Sequence, residues 1–207
     1  MQNTNTNTNA GRLITTSKIF GVTLLGSLCL AFNTAADAQT KPAPAPKDTL
    51  EFYNVHTGES MTVTRKKGEL ISDRTNLFMR DYRRNEKANM SPQLFDLLGD
   101  LKKSIQKRYP NISVTFKVVS SYRTPQTNSA LQRAGGTQAD KSQHMLGKAM
   151  DIAVDGVPTK DLRDMATCLK RGGVGYYAED QFVHVDVARV RYWPSHDYLK
   201  GLKCPKN

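Results

Sequence analysis

Two periods organise the apolar positions of this chain. Leu50 to His56 alternates apolar with polar residues, Thr57-Gly58-Glu59 turns the chain, and Ser60 to Arg65 alternates again. That pattern predicts a β-hairpin. Leu94, Phe95, Leu97, Leu98, Leu101 and Ile105 form one stripe at helical spacing, from Ser91-Pro92 to Tyr109-Pro110. It predicts a core-facing helix with Ser91 as cap and Pro92 in the first turn. Val114 to Val119 reads as a strand, Ser120 to Pro125 as a polar loop, and Thr127 to Arg133 as a helix broken by Ala134-Gly135-Gly136. Ala149 to Val154 is a strand interrupted by Asp151, and Thr159 to Lys170 is an amphipathic helix with Thr159 as cap. Gly175–Tyr177 and Gln181–Val187 are short strands joined by Ala178-Glu179-Asp180. Arg74 to Arg84 reads as a short helix among charges. Strands that pair locally with helices inserted between them predict an α+β domain.

The N-terminal quarter departs from both periods. Arg12 and Lys18 precede an apolar run, Ile19 to Phe32, and Ala36-Asp37-Ala38 offers small residues at signal-peptidase spacing. The run is short for a bilayer span, so residues 1–38 are expected to be a secretory signal peptide rather than an uncleaved anchor. Leu28 before Cys29 argues against a lipoprotein signal. Residues 39–49 are a Pro/Ala linker, and 50–207 are the domain with a short C-terminal tail. The expected compartment is periplasmic or otherwise extracytoplasmic, with no stable membrane insertion once the signal is removed.

Composition narrows the partners. Thirty Lys and Arg against nineteen Asp and Glu give +11. Removing residues 1–38 takes away Arg12, Lys18 and Asp37 and leaves +10. A basic surface favours an anionic partner, but no nucleic-acid motif accompanies it, so nucleic acid is not expected. A mature chain keeps two cysteines, Cys168 and Cys204. An oxidising compartment favours their pairing, and spacing leaves both bonded and free states open.

The chemistry concentrates in Ser142–Asp151 and Phe182–Asp186. His144 and Asp151 on a straight strand face opposite ways. With Gly147 between them, the simplest geometry is a loop delivering His144, a turn at Gly147, and a strand presenting Asp151. Phe182, His184 and Asp186 share one strand face, and Val183, Val185 and Val187 the other. Two apolar strands each carrying an acid are costly to bury unless a partner is shared. A shared cation satisfies both, and imidazoles select zinc over magnesium or calcium. His144, Asp151 and His184 are thus candidate Zn²⁺ ligands, with a fourth position left for water. The plainer reading is a set of ordinary His–Asp hydrogen bonds.

Ser142-Gln143-His144-Met145-Leu146-Gly147-Lys148-Ala149-Met150-Asp151 resembles the S-x-H-x-x-G-x-A-x-D signature of the D-Ala-D-Ala zinc metallopeptidases, the group that includes the hedgehog fold. Gly172 to Tyr177, Phe182 to Asp186 and the closing Tyr192-Trp193 resemble its murein endopeptidase branch. So do HTGES at His56 to Ser60, Arg80 to Arg83, and Ser121-Tyr122-Arg123 with Thr127-Asn128. The resemblance implies a mainly antiparallel sheet flanked by helices, and a zinc peptidase acting on peptidoglycan peptide stems; a monomer is expected. It implies His144, Asp151 and His184 as metal ligands and Arg123 as the cation receiving oxyanion charge. Many relatives carry a Glu three residues before the last His, where this chain has Gln181. Asp186 is the expected replacement base, or else it orients His184; Glu179 is the weaker choice. His56, His196 and Ser142 are expected in turn, tail and loop roles, and Tyr176 and Tyr177 in the groove or the core. The rival readings are a D-Ala-D-Ala carboxypeptidase and a non-catalytic zinc-containing wall-binding module.

Overall fold

The structure is a computed structural model describing residues 49–64, 69–136, 138–194 and 199–204. The expected signal segment, the linker up to residue 48, and His196 lie outside the described residues. The predicted hairpin is β1 (Thr49–Asn54) and β2 (Ser60–Thr64). It is followed by α1 (Asp73–Phe78), α2 (Pro92–Arg108), β3 (Thr115–Ser120) and α3 (Pro125–Arg133). A 3₁₀ turn over Gln143–Leu146 leads into β4 (Ala149–Val154) and α4 (Thr159–Leu169). The chain closes with β5 (Gly173–Tyr177), β6 (Phe182–Asp186) and β7 (Arg191–Trp193).

One seven-stranded sheet has the order β2-β1-β3-β4-β6-β5-β7. β1–β3 and β5–β7 pair in parallel, and the other four pairs are antiparallel. Strand alternation then divides the sheet into two faces. Phe52, Phe116, Met150, Ile152, Val183 and Val185 point to the side covered by α2 and α4, where Leu94, Leu98, Leu101, Ile105 and Leu162 complete the core. Asp151 and His184 alternate with these residues and so emerge on the other side.

Local differences from the sequence pattern have identifiable causes. α1 ends at Phe78 rather than running to Arg84, because Asp81 turns the chain. Its carboxylate accepts from the Arg83 amide and from the amide and hydroxyl of Thr124, and its backbone bridges to Glu86. Ser91 stands at the cap position of α2 but makes no capping bond; its hydroxyl donates to Gln93. Thr159 is the first residue of α4 rather than its cap, and its hydroxyl donates to Gln181. α3 starts at Pro125 because the Thr124 hydroxyl caps the Thr127 amide. Cys168 and Cys204 form a disulfide that fastens the tail to the last turn of α4.

Candidate metal centre

Register brings two of the candidate ligands together. In the β4–β6 ladder Asp151 lies directly opposite His184, and Ala149 lies opposite Asp186. His144 arrives from the 3₁₀ turn, whose Ser142 hydroxyl accepts from the His144 amide. Gly147 then reverses the chain at φ +63°, a conformation open to glycine, and a Cβ there would stand 2.5 Å from the Asn89 carbonyl oxygen. The loop–turn–strand geometry expected from the sequence is therefore present. Ligand atoms of His144, Asp151 and His184 all lie within 4.8 Å of one another, and the three residues are buried.

Hydrogen bonding fixes the tautomers. His144 Nδ1 lies 2.6 Å from the Ser121 carbonyl oxygen, which can only accept, so Nδ1 carries the proton. His184 Nε2 lies 3.0 Å from Asp186 Oδ2, which likewise accepts. The remaining ring nitrogens, His144 Nε2 and His184 Nδ1, face each other at 3.1 Å. Asp151 Oδ1 sits 3.2 Å from the first and 2.9 Å from the second. Three lone-pair donors thus converge on one point, an arrangement that suits a cation.

The surrounding electrostatics agree. Burial lowers the His144 pKa and holds that ring neutral. Burial also disfavours charge on His184, but hydrogen bonds from its ring to Asp151 and Asp186 outweigh it and raise the pKa. Asp151 is buried, which opposes ionisation, yet His144 and His184 pull its pKa well below the ordinary carboxylate range. Asp151 and Asp186 thus favour positive charge at this point, which a divalent cation taking the place of the His184 Nδ1 proton would supply, and two nitrogens with one oxygen are the ligands zinc takes in catalytic sites.

The other candidates separate by position. Arg123 is buried after β3, its guanidinium donating to Asn128 Oδ1 and Ser120 Oγ at 3.2 Å each, and it stands 3.6 Å from Asp151 Oδ2. Its Nε has no hydrogen-bond partner among the described residues. Asp186, the first choice for a water-activating base, has no exposed surface. His184, the amides of Gly173 and Ala188, and both terminal nitrogens of Arg191 fill its oxygens. Burial works against its charge, but these bonds hold its pKa far below the usual range. Glu179 is exposed in the β5–β6 turn, and Gln181 is turned toward Thr159 and the Ala178 carbonyl. Neither borders the groove of about 270 Å³ that opens onto the ligands. In that groove Asp151 is the only carboxylate among the described residues. His56 is a surface residue, stacked on Tyr82 with ring centroids 4.1 Å apart.

Two groove residues carry no periodic signal of their own, although Tyr192-Trp193 closes the stretch that resembles the murein endopeptidase branch. Trp193 from β7 lies 5.0 Å from the His184 ring and donates its indole N–H to the Tyr177 hydroxyl. Arg191 clamps Asp186 from the same strand. Three residues between polar loops carry no readable period, and Arg191 is one of thirty cations. The usable hint was Gly175: a Cβ there would meet the Trp193 ring at 2.4 Å.

Comparison with known proteins agrees with this geometry. A profile of the family described as peptidoglycan L,D-endopeptidase MepK matches residues 42–193. The chain is 35% identical over 163 residues to the peptidoglycan L,D-endopeptidase MepK of Escherichia coli K12, covering 74% of this chain and 84% of that protein. It is 30% identical over 174 residues to the probable peptidoglycan L,D-endopeptidase MepK of Haemophilus influenzae, covering 82% and 91%. No solved structure matches the chain.

Proposed function

This chain belongs to the peptidoglycan L,D-endopeptidase MepK family, and on that premise we propose that it cuts L,D peptide bonds in the cross-links of peptidoglycan with the help of one zinc ion. The family is one of metal-dependent peptidases, and the chain is a peptidoglycan hydrolase. The observation that carries the metal is the convergence of His144 Nε2, His184 Nδ1 and Asp151 Oδ1, with both opposite ring nitrogens already committed as donors.

When bound, the ion supplies Lewis acidity for the scissile carbonyl and makes a water more acidic. The chain's residues do the rest. Asp186 locks His184 in the Nε2–H tautomer and makes its Nδ1 a stronger ligand, and the Ser121 carbonyl does the same for His144. Asp186 therefore serves as the orienting group rather than as the base: both its oxygens are occupied, and it does not line the groove. Arg191 balances its charge. Arg123, fixed by Asn128 and Ser120, holds the outer oxygen of Asp151 and presents a preorganised guanidinium for the charge that develops on the carbonyl oxygen. Tyr177, Phe182 and Trp193 wall the groove on one side and receive the stem peptide. Residues 1–38 would deliver the domain to the periplasm, where this substrate lies.

Digestion of purified cross-linked muropeptide dimers, followed by mass spectrometry, tests the reading. Conversion of dimers to monomers, abolished by a chelator and restored by zinc, is expected. Release of a single terminal residue would make the protein a carboxypeptidase, and an inert zinc-loaded protein would make it a binding module.

A further inference from the structure

A second cleft lies on the opposite side of the sheet from the metal centre. It has a volume of about 920 Å³ and runs between the C-terminal half of α2, α4 and the tail at 200–203. α2 and α4 cover the face formed by Met150, Ile152, Val183 and Val185, whereas Asp151 and His184 project from the other face. The Cys168–Cys204 disulfide holds the tail in place as the third wall.

The lining has a definite chemistry. Met165, Leu169 and Leu202 supply an apolar floor. Lys107, Arg108, Lys160, Arg163, Lys200 and Lys203 surround it. Among the described residues two acids border them, Asp161, paired with Arg108 and bonded by the Tyr109 hydroxyl, and Asp164, paired with Lys160 and Arg163; six cations against two acids leave the rim an excess of positive charge. Cations around a small aliphatic surface suit a ligand with carboxylates spaced along short aliphatic groups.

We propose that this cleft is a non-catalytic binding site for carboxylate-bearing peptide stems of peptidoglycan, so that the enzyme grips one strand of the wall while the metal centre works on another. The inference rests on the proposed substrate. Peptidoglycan stems carry free carboxylates and alanine methyls, which match the rim and the floor. Because the wall is a polymer, a second contact raises the local concentration of cross-links at the groove without any change in the groove itself.

The test compares binding to purified sacculi with cleavage of a soluble muropeptide dimer, using full-length mature enzyme. The cleft variant is Lys107→Gln/Lys200→Gln/Lys203→Gln. A control of equal charge change is Lys87→Gln/Lys117→Gln/Arg133→Gln, on surfaces away from the cleft. The cleft variant is expected to bind sacculi about tenfold more weakly, in line with three exposed charge contacts, while cutting the dimer at the wild-type rate. That unchanged rate also shows that it folds. The control is expected to stay within about twofold in binding, since screened charges away from the contact add little. Equal weakening in both variants would reduce the effect to net charge and overturn the site, as would no weakening in either. Loss of binding to phosphatidylglycerol vesicles with sacculus binding intact would also overturn it, in favour of a membrane surface. Failure of the wild type to cut the dimer would instead sink the proposed reaction, whatever the binding result.

Discussion

At the scale of single residues, the centre is a problem in donor and acceptor accounting. A backbone carbonyl and a buried carboxylate take the N–H of each imidazole, and the lone pairs left over face a third acceptor. His184→Ala should abolish stoichiometric zinc binding, measured by calorimetry on chelator-stripped protein. Asp186→Asn gives the sharper test. An orienting role predicts a fall in zinc affinity of about 10–100-fold with kcat recovering toward wild type at saturating zinc. A base would instead leave kcat at least about a hundredfold down at any zinc concentration.

At the scale of elements, close approach between strands sets what substitutions the site tolerates. A Cβ on Gly172 would stand 1.7 Å from the Asp186 carbonyl oxygen, so Gly172→Ala must push β6 away. A loss of about 1–3 kcal/mol, by urea unfolding, is expected together with weaker zinc binding, because His184 and Asp186 ride on that strand. Gly175→Ala collides with the Trp193 ring instead, and a displaced ring should raise KM more than it lowers stability. The turn after α1 depends on Asp81. Its burial opposes ionisation, but hydrogen bonds from Thr127, Thr124 and the Arg83 amide lower its pKa from the ordinary 3.8. A depressed carboxylate contributes stability above its unfolded pKa and loses it as pH falls through the lower folded value. Stability should therefore drop below about pH 4. Asp81→Asn should cost about 2 kcal/mol at pH 7 and flatten that acid limb, as measured by denaturant midpoints across pH.

At the scale of the whole molecule, one sheet serves two surfaces. Its apolar side is closed by α2 and α4, and its polar side carries the candidate metal centre. The disulfide spans 36 residues, from α4 past β5, β6 and β7 to the tail. Closing a loop of that length constrains the unfolded chain by roughly 4 kcal/mol. Cys204→Ser should lower the Tm by several degrees while leaving cleavage of a soluble dimer in place, since the tail lies behind the sheet.

Much of this arrangement follows from the order of residues alone. Alternation in Phe182–Asp186 assigns valines to one face and His184 with Asp186 to the other, and a glycine between His144 and Asp151 marks where the chain must turn. Such features are local, because the side-chain period of a strand is a property of the backbone. Other features arise only on folding: Asp151 opposite His184, the Ser121 carbonyl under His144, the saturation of Asp186 by Arg191, and the tail pinned across α2 and α4. Strand register and contacts between distant segments are chosen by packing among parts far apart in sequence. Whether a buried acid takes a proton from water or holds a ring in place depends on those neighbours, so the sequence left both roles open for Asp186 and only the folded contacts bear on the choice.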